Sequence, residues 1–282
     1  MQKTPLKAGL IGRPLSKSLS PDIFGIFAAL TGERISYELR EVEQQGLRPA
    51  IEQARAQGWA GFNVTLPYKK EVCSLLRLAD PAVKAAGAVN AVRFGRGGLE
   101  GMNTDARALL EALQELSYNA AGKSAVVFGA GGAAASSGWA LGRAMAAAVV
   151  FRARDKAAAS ALAARLADCF PDTAFSAAGW EAEKGEPDIL VNATPLGMYE
   201  PGRPPCEPRR GQLCADLAYA PAGADFTAEA ARAGALVIDG LSLLVWQAAL
   251  SLRFWAGLPT GDIVKFKREA FSLLEKKIKG GS

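Results

Sequence analysis

With 282 residues, 50% of them hydrophobic and 22% charged, the chain is long enough for two domains and a substantial core, and its composition is that of an ordinary globular protein. It contains no histidine, which excludes Ser-His-Asp triads, histidine zinc sites and histidine general acids, and leaves any proton chemistry to Lys, Asp, Glu, Tyr or Cys. The net charge of +5 is spread along the chain with no basic stripe among aromatics, which argues against nucleic acid and only weakly favours anionic ligands. No apolar run reaches the length of a membrane span. The cysteines (Cys73, Cys169, Cys206, Cys214) are scattered without a C-x-x-C pair, and residues 1–5 lack signal-peptide features; a cytoplasmic protein is expected.

In chain order, strand-like and helix-like stretches alternate, the pattern of a parallel α/β architecture. A strand is expected over residues 6–11, then a polar loop and a helix over 21–30. A second strand covers 35–41 and a helix 47–56. The third strand, 59–66, runs into Asn63-Val64-Thr65-Leu66-Pro67-Tyr68-Lys69-Lys70. Strand alternation puts Asn63 and Thr65 on one face, with Val64 and Leu66 behind. Pro67 stops the ladder and suits the first turn of a helix, which sets Lys69 in that turn beside two polar side chains. A lysine at the positive end of a helix is electrostatically awkward, as suits a proton carrier; a solvated lysine is the alternative. A short strand over 88–94 ends in the Gly95-Arg96-Gly97-Gly98 turn. A helix over 104–116, periodic in Ala108, Leu109, Ala112, Leu113 and Leu116, leads to a new unit after Gly122.

That unit opens with Ser124-Ala125-Val126-Val127-Phe128 and then Gly129-Ala130-Gly131-Gly132-Ala133-Ala134-Ala135. A buried strand, a glycine turn and a small-residue helix form the setting of a dinucleotide loop. Gly129 permits the tight turn, Gly131 admits a pyrophosphate to the backbone, and Ala134 lets helix and sheet pack closely. The helix N-terminus supplies N–H donors to the phosphates. The next strand, 147–151, runs into Arg152-Ala153-Arg154-Asp155-Lys156, with no acid at its tip for a ribose and three cations within five residues. This is either a solvated basic turn or a 2′-phosphate site, with Arg as bidentate partner, and it favours NADP over NAD. Two C-terminal helices, 241–256 and 259–278, follow; the first carries Gln247 and the core aromatics Trp246, Phe254 and Trp255. The tail 279–282 is expected to be disordered.

These residues, with Gly12-Arg13-Pro14-Leu15-Ser16-Lys17-Ser18-Leu19-Ser20-Pro21, Gly87-Ala88-Val89-Asn90, Asn103-Thr104-Asp105, Asn192-Ala193-Thr194-Pro195-Leu196-Gly197-Met198 and Asp216-Leu217-Ala218-Tyr219, resemble the shikimate dehydrogenase family over nearly the whole chain. The resemblance implies an α/β fold of two domains. Residues 1–105, completed by 239–282, would bind substrate, and residues 106–238 would form a Rossmann-type NADP domain, with the C-terminal helices returning to the first domain. It implies that Ser18 and Ser20 grip a substrate carboxylate, with Asn63 and Thr65 nearby, that Asn90, Asp105 and Gln247 bind ring hydroxyls, and that Lys69 and Asp105 are the acid/base pair. Gly129, Ala130, Gly131, Gly132, Ala133, Arg152, Arg154, Lys156, Asn192, Thr194, Pro195, Met198 and Gly240 would hold NADP.

The plainer roles are a capping or loop serine for Ser18 and Ser20, a helix cap for Asp105 or Thr104, a structural hydrogen bond for Gln247, and fold stabilisation for Asp216 and Tyr219. The family's usual histidines are replaced by Lys17 and Phe24, its glycine after Asp105 by Ala106-Arg107-Ala108, its strand-end Asn by Phe151, and a common methionine by Leu243. The expected substrate is a small anionic cyclohexene carboxylate. Shikimate is the leading reading, quinate or an aminoshikimate the alternative, and a non-catalytic NADP sensor a second class. A monomer or homodimer acting without nucleic acid, membrane or metal is expected.

Overall fold

The computed structural model describes residues 5–181, 185–219, 225–257 and 260–280. The chain forms two compact units: Met1–Lys84 with Ala88–Thr104 and Val245–Ser282, and Ala85–Gly87 with Asp105–Leu244.

The first unit is built on β1 (Leu6–Gly12), α1 (Ser20–Thr31), β2 (Ile35–Glu41), α2 (Leu47–Ala56), β3 (Gly61–Val64), β4 (Leu76–Ala79), α3 (Pro81–Ala86), β5 (Ala91–Gly95) and β6 (Gly98–Met102). Helix α1 starts with Pro21 in its first turn and stops at Gly32, whose φ of +67° continues no helix. The sheet order is β2-β1-β3-β5-β6-β4. The expected parallel α/β pattern holds for β1 with β2 and β3 and for β4 with β6, but β5 runs antiparallel to both β3 and β6. The short Gly95–Gly98 connection forces the β5–β6 pairing to be antiparallel, because only a hairpin closes over so few residues. Ile11, Leu47, Ile51, Phe62, Val64, Tyr68 and Val92 form one core under the sheet. Phe24 stacks on Tyr37 with ring centroids 4.1 Å apart and on Trp255 at 5.6 Å, so this departure from the family pattern is a core residue.

The helix expected after Pro67 does not form. Tyr68 N–H bonds to the Thr65 carbonyl at 3.0 Å, Ser74 N–H bonds to that of Glu71 at 3.1 Å, and a 3₁₀ turn covers Val72–Leu75. The Tyr68 ring is buried and its hydroxyl donates to the Val42 carbonyl at 2.6 Å, an anchor that local propensity does not reveal.

In the second unit α4 (Thr104–Glu115) leads into β7 (Ser124–Phe128), α5 (Gly132–Arg143), β8 (Ala148–Ala153), α6 (Lys156–Ala167), β9 (Ala174–Gly179), β10 (Ile189–Asn192), β11 (Leu213–Asp216), α7 (Asp225–Arg232) and β12 (Leu236–Ile238). The order β12-β11-β10-β7-β8-β9 is parallel throughout. Read by strand sequence it is 3-2-1-4-5-6, the doubly wound arrangement whose order reverses between β7 and β10. Helix α8 (Gly240–Ala256) starts in this unit and continues in the first, where Trp255 Nε1 donates to the Val92 carbonyl at 2.9 Å. In α9 (Thr260–Gly280), packed on α1, Lys277 pairs with Asp22. The helix includes residues 279 and 280 of the tail expected to be disordered; Gly281 and Ser282, like Pro259, lie outside the described residues.

Candidate active site

The antiparallel β5 matters for chemistry. Ile11 of β1 pairs with Val64 of β3, so the loop after Gly12 and the turn after Val64 leave the sheet side by side. Asn63 pairs with Ala91 and Ala91 with Met102, so the start of β5 and the end of β6 lie at that same end. Backbone bonds knit the segments together. Arg13 N–H donates to the Leu66 carbonyl at 2.9 Å, Thr65 N–H to Ile11 at 3.0 Å, and Val89 N–H to the Lys69 carbonyl at 3.0 Å. A Cβ on Gly12 would lie 2.9 Å from the Leu66 oxygen and clash with the Thr65 methyl, so only glycine lets loop and turn approach this closely. The fold thus brings Ser18, Ser20, Thr65, Lys69 and Asn90 to one end of one sheet.

Ser20 is the first residue of α1 and is buried; its N–H donates to Ser18 Oγ at 3.3 Å. Two hydroxyls at a helix N-terminus suit a carboxylate. The loop that carries them is tied to the end of β2 by the Leu15 N–H, which donates to Glu41 Oε1 at 2.5 Å, and to the segment after β2 by the Arg13–Glu43 ion pair.

Asn63 is held by bonds within the fold. It is 4% exposed; Oδ1 accepts from Tyr37 Oη at 2.9 Å, and Nδ2 donates to the Asn90 carbonyl at 3.0 Å and to Ser251 Oγ at 2.9 Å. Both amide protons are thus engaged. Ser251 donates to the Gln247 carbonyl at 2.7 Å, which fixes the turn of α8 that carries Gln247, itself buried. Asn90 donates from Nδ2 to Thr104 Oγ1 at 2.9 Å and accepts the Thr104 N–H on Oδ1 at 2.7 Å. Thr104 is fully buried, and the residue bonded to it is Asp105, second in α4. Asn103 donates to the Ala88 carbonyl at 3.0 Å. Tyr37 and Ser251 were not foreseen from sequence. Ser251 shares a helical face with Gln247 four residues earlier, but its partner Asn63 is 188 residues away.

In the second unit the strand reversal places the ends of β7 and β10 together. Ala193 N–H donates to Phe128 O at 2.9 Å, and Gly129 N–H to Arg152 O at 2.8 Å. Gly129 has φ +117°, and a Cβ there would lie 2.8 Å from the Ala193 carbonyl oxygen, so this position is restricted to glycine. Gly131 is the extended N-cap of α5 and borders open space. The loop Gly129–Ala133 therefore offers a bare backbone and a helix N-terminus, which fits a dinucleotide pyrophosphate.

The three cations beyond β8 are separated. Arg154 is exposed and lies 3.5 Å from Glu200, and Lys156 is exposed at the start of α6. Arg152 is 5% exposed, donates to the Trp180 carbonyl at 2.8 Å and lies 5.4 Å from the Phe128 ring centroid. Its guanidinium is thus engaged within the fold. Asp155 caps α6 through the Ala158 N–H at 2.9 Å, which explains an acid in this basic turn. Phe151 faces α5, where Gly138 makes room for its ring.

After β10, Asn192 Oδ1 accepts the Thr194 N–H at 3.1 Å and Thr194 Oγ1 at 2.6 Å. Pro195 O accepts Met198 N–H at 3.2 Å and Tyr199 N–H at 2.9 Å, which turns the loop back on itself. Gly240 packs against the Ala218 carbonyl, so contact within the fold already accounts for this glycine.

The family model for the shikimate dehydrogenase substrate binding domain matches residues 10–92. A relative from Moorella thermoacetica, a shikimate dehydrogenase (NADP(+)), is 35% identical over 271 residues, covering 93% of this chain and 92% of its own. Another of the same description, from Anaeromyxobacter sp. (strain Fw109-5), is 40% identical and covers 88% of this chain and 90% of its own. The chain belongs to the shikimate dehydrogenase family. A solved shikimate 5-dehydrogenase of Thermus thermophilus, in complex with NADP(H) and shikimate, superposes with a TM-score of 0.79 at 32% identity, over 94% of this chain and 99% of that one. Family membership therefore rests on both halves of the chain. Among the described residues no helix is long and apolar enough to cross a membrane, and no cluster of acids and cysteines is placed to hold a metal ion.

Proposed function

We propose that this protein catalyses the reversible NADP-linked oxidation of shikimate to its 3-dehydro form. The observation that carries the reading is the gathering of Ser18, Ser20, Thr65, Lys69 and Asn90 at one end of the first sheet, in a chain whose relatives bear that activity in their names.

Gly129–Ala133 and the α5 N-terminus would hold the pyrophosphate, with Arg154 and Lys156 the exposed cations available to a 2′-phosphate. NADP, when bound, accepts or returns the hydride. The hydroxyls of Ser18 and Ser20 at the α1 N-terminus bind the substrate carboxylate, while Asn90 and Gln247 orient ring hydroxyls. Lys69 takes the proton from the hydroxyl that is oxidised, and gives it back in the reverse direction; Asp105 is its acid/base partner. The framework of Asn63, Ser251 and Thr104 holds these groups in place, so the energy of fixing them is spent on folding and not on each turnover.

Lys69→Ala tests the assignment. Loss of a general acid/base should lower kcat by about 10²–10⁴-fold, with NADP affinity changed less than about threefold. A variant that keeps wild-type kcat would remove Lys69 from the chemistry.

A further inference from the structure

Asp216, the last residue of β11, is fully buried at 0% exposure. Its Oδ1 accepts from Asn192 Nδ2 at 2.8 Å and from the Ala218 N–H at 2.9 Å; its Oδ2 is buried with no hydrogen-bond partner. A half-satisfied carboxylate inside a protein is costly and calls for an explanation.

Asn192 is the link between this carboxylate and the loop beyond β10. It receives the Thr194 N–H and hydroxyl on Oδ1 and donates to the Leu196 carbonyl at 3.2 Å, in addition to its bond to Asp216. One chain of hydrogen bonds therefore runs from a buried acid to the residues that follow β10. That loop faces the switch point, since its Ala193 carbonyl is the group that restricts position 129 to glycine. The groups that bear on Asp216 are the Asn192 amide from β10, the Ala218 N–H from the segment after β11, and Asp239 from the β12–α8 connection. Asp239 accepts the Ser242 N–H at 2.8 Å. The charge among them is another acid.

We propose that Asp216 is a positioning residue that holds the 193–197 loop for the cofactor in its ionised form and loosens it when protonated. The affinity part of this proposal rests on the NADP reading above; the loop part does not. Burial, with Asp239 adding to it, pushes the Asp216 carboxyl up to about 7 against the pull of its two donors, so both forms exist near neutrality. The ionised form makes charge-assisted bonds to Asn192 and Ala218, about twice as strong as neutral ones.

Hydrogen–deuterium exchange of the ligand-free protein, corrected for intrinsic pH dependence, reads the loop directly. In the wild type, amides of residues 193–200 should lose about tenfold in protection between pH 8 and pH 6. In Asp216→Asn they should show the low-pH wild-type level at both. Calorimetric Kd values for NADP should differ about tenfold between the two proteins at pH 8 and converge at pH 6. The comparison between proteins carries this result, because the 2′-phosphate itself titrates near pH 6. Protection that does not change with pH in the wild type, which requires no variant to fold, would overturn the proposal. So would an Asp216→Asn protein that matches wild type at pH 8. The predicted loop behaviour without NADP binding at any pH would uphold Asp216 as the holder of the loop and sink the cofactor reading instead.

Discussion

At the tip of β8 three cations lie within five residues, and the structure gives them different work. Arg152 is buried against Phe128 and the Trp180 carbonyl, whereas Arg154 and Lys156 are exposed. Sequence shows the cluster but not where each side chain goes: Arg152 is still in β8 and turns to the Trp180 carbonyl, whereas Arg154 follows the strand and Lys156 opens α6. Lys156→Ala should therefore weaken NADP by about tenfold relative to NAD, the scale of one lost charged hydrogen bond. Arg152→Ala should chiefly lower the melting temperature and leave the NADP/NAD preference near wild type. Titration with both cofactors checks the two together, and a preference that collapses only in Arg152→Ala would reverse the assignment. Asn63 teaches a similar lesson. Its place beside Thr65 is legible from the strand, yet its partners Tyr37 and Ser251 come from residues 26 and 188 positions away.

Among the elements, those with strong periodicity or clear stops are legible from sequence. The strand 35–41, the helix 47–56 and the strand 124–128 have the bounds expected of them. Strands β4 and β6 were not expected, because each is short and half-exposed and is defined by its neighbour in the sheet. The turn after Pro67 reads as a helix until the burial of Tyr68 is known. Helix α5 shows how a departure from the family pattern is accommodated: Phe151 is fully buried, and a Cβ on Gly138 would lie 2.5 Å from its Cζ and 2.7 Å from Leu166 Cδ1. Gly138→Val should destabilise the fold by about 1–3 kcal/mol through overpacking. Phe151→Ala in the same chain should return part of that loss, since the two side chains compete for one space. Thermal melts of the single and double variants measure it; additive losses would mean the helix and strand adjust independently.

For the whole molecule, chain order carries most of the legible information. Phosphate-loop glycines follow a buried strand, and the polar motifs precede them, so two α/β units and a dinucleotide reading follow from pattern alone. The antiparallel β5 was not legible, and it is this strand that brings Asn90 and Thr104 to the end of the sheet where Ser20 and Lys69 lie. The absence of histidine fits this chemistry, because the proposed proton carrier is a lysine. Phe24, where the family usually has a histidine, is part of the core, stacked on Tyr37. The most direct measurement of the central claim is the initial rate of cofactor reduction with NADP and with NAD, each with shikimate, with quinate and without substrate. The account predicts NADP-linked turnover on shikimate well above every other pairing. Turnover on quinate alone, or none with any pairing while NADP still binds, would contradict it.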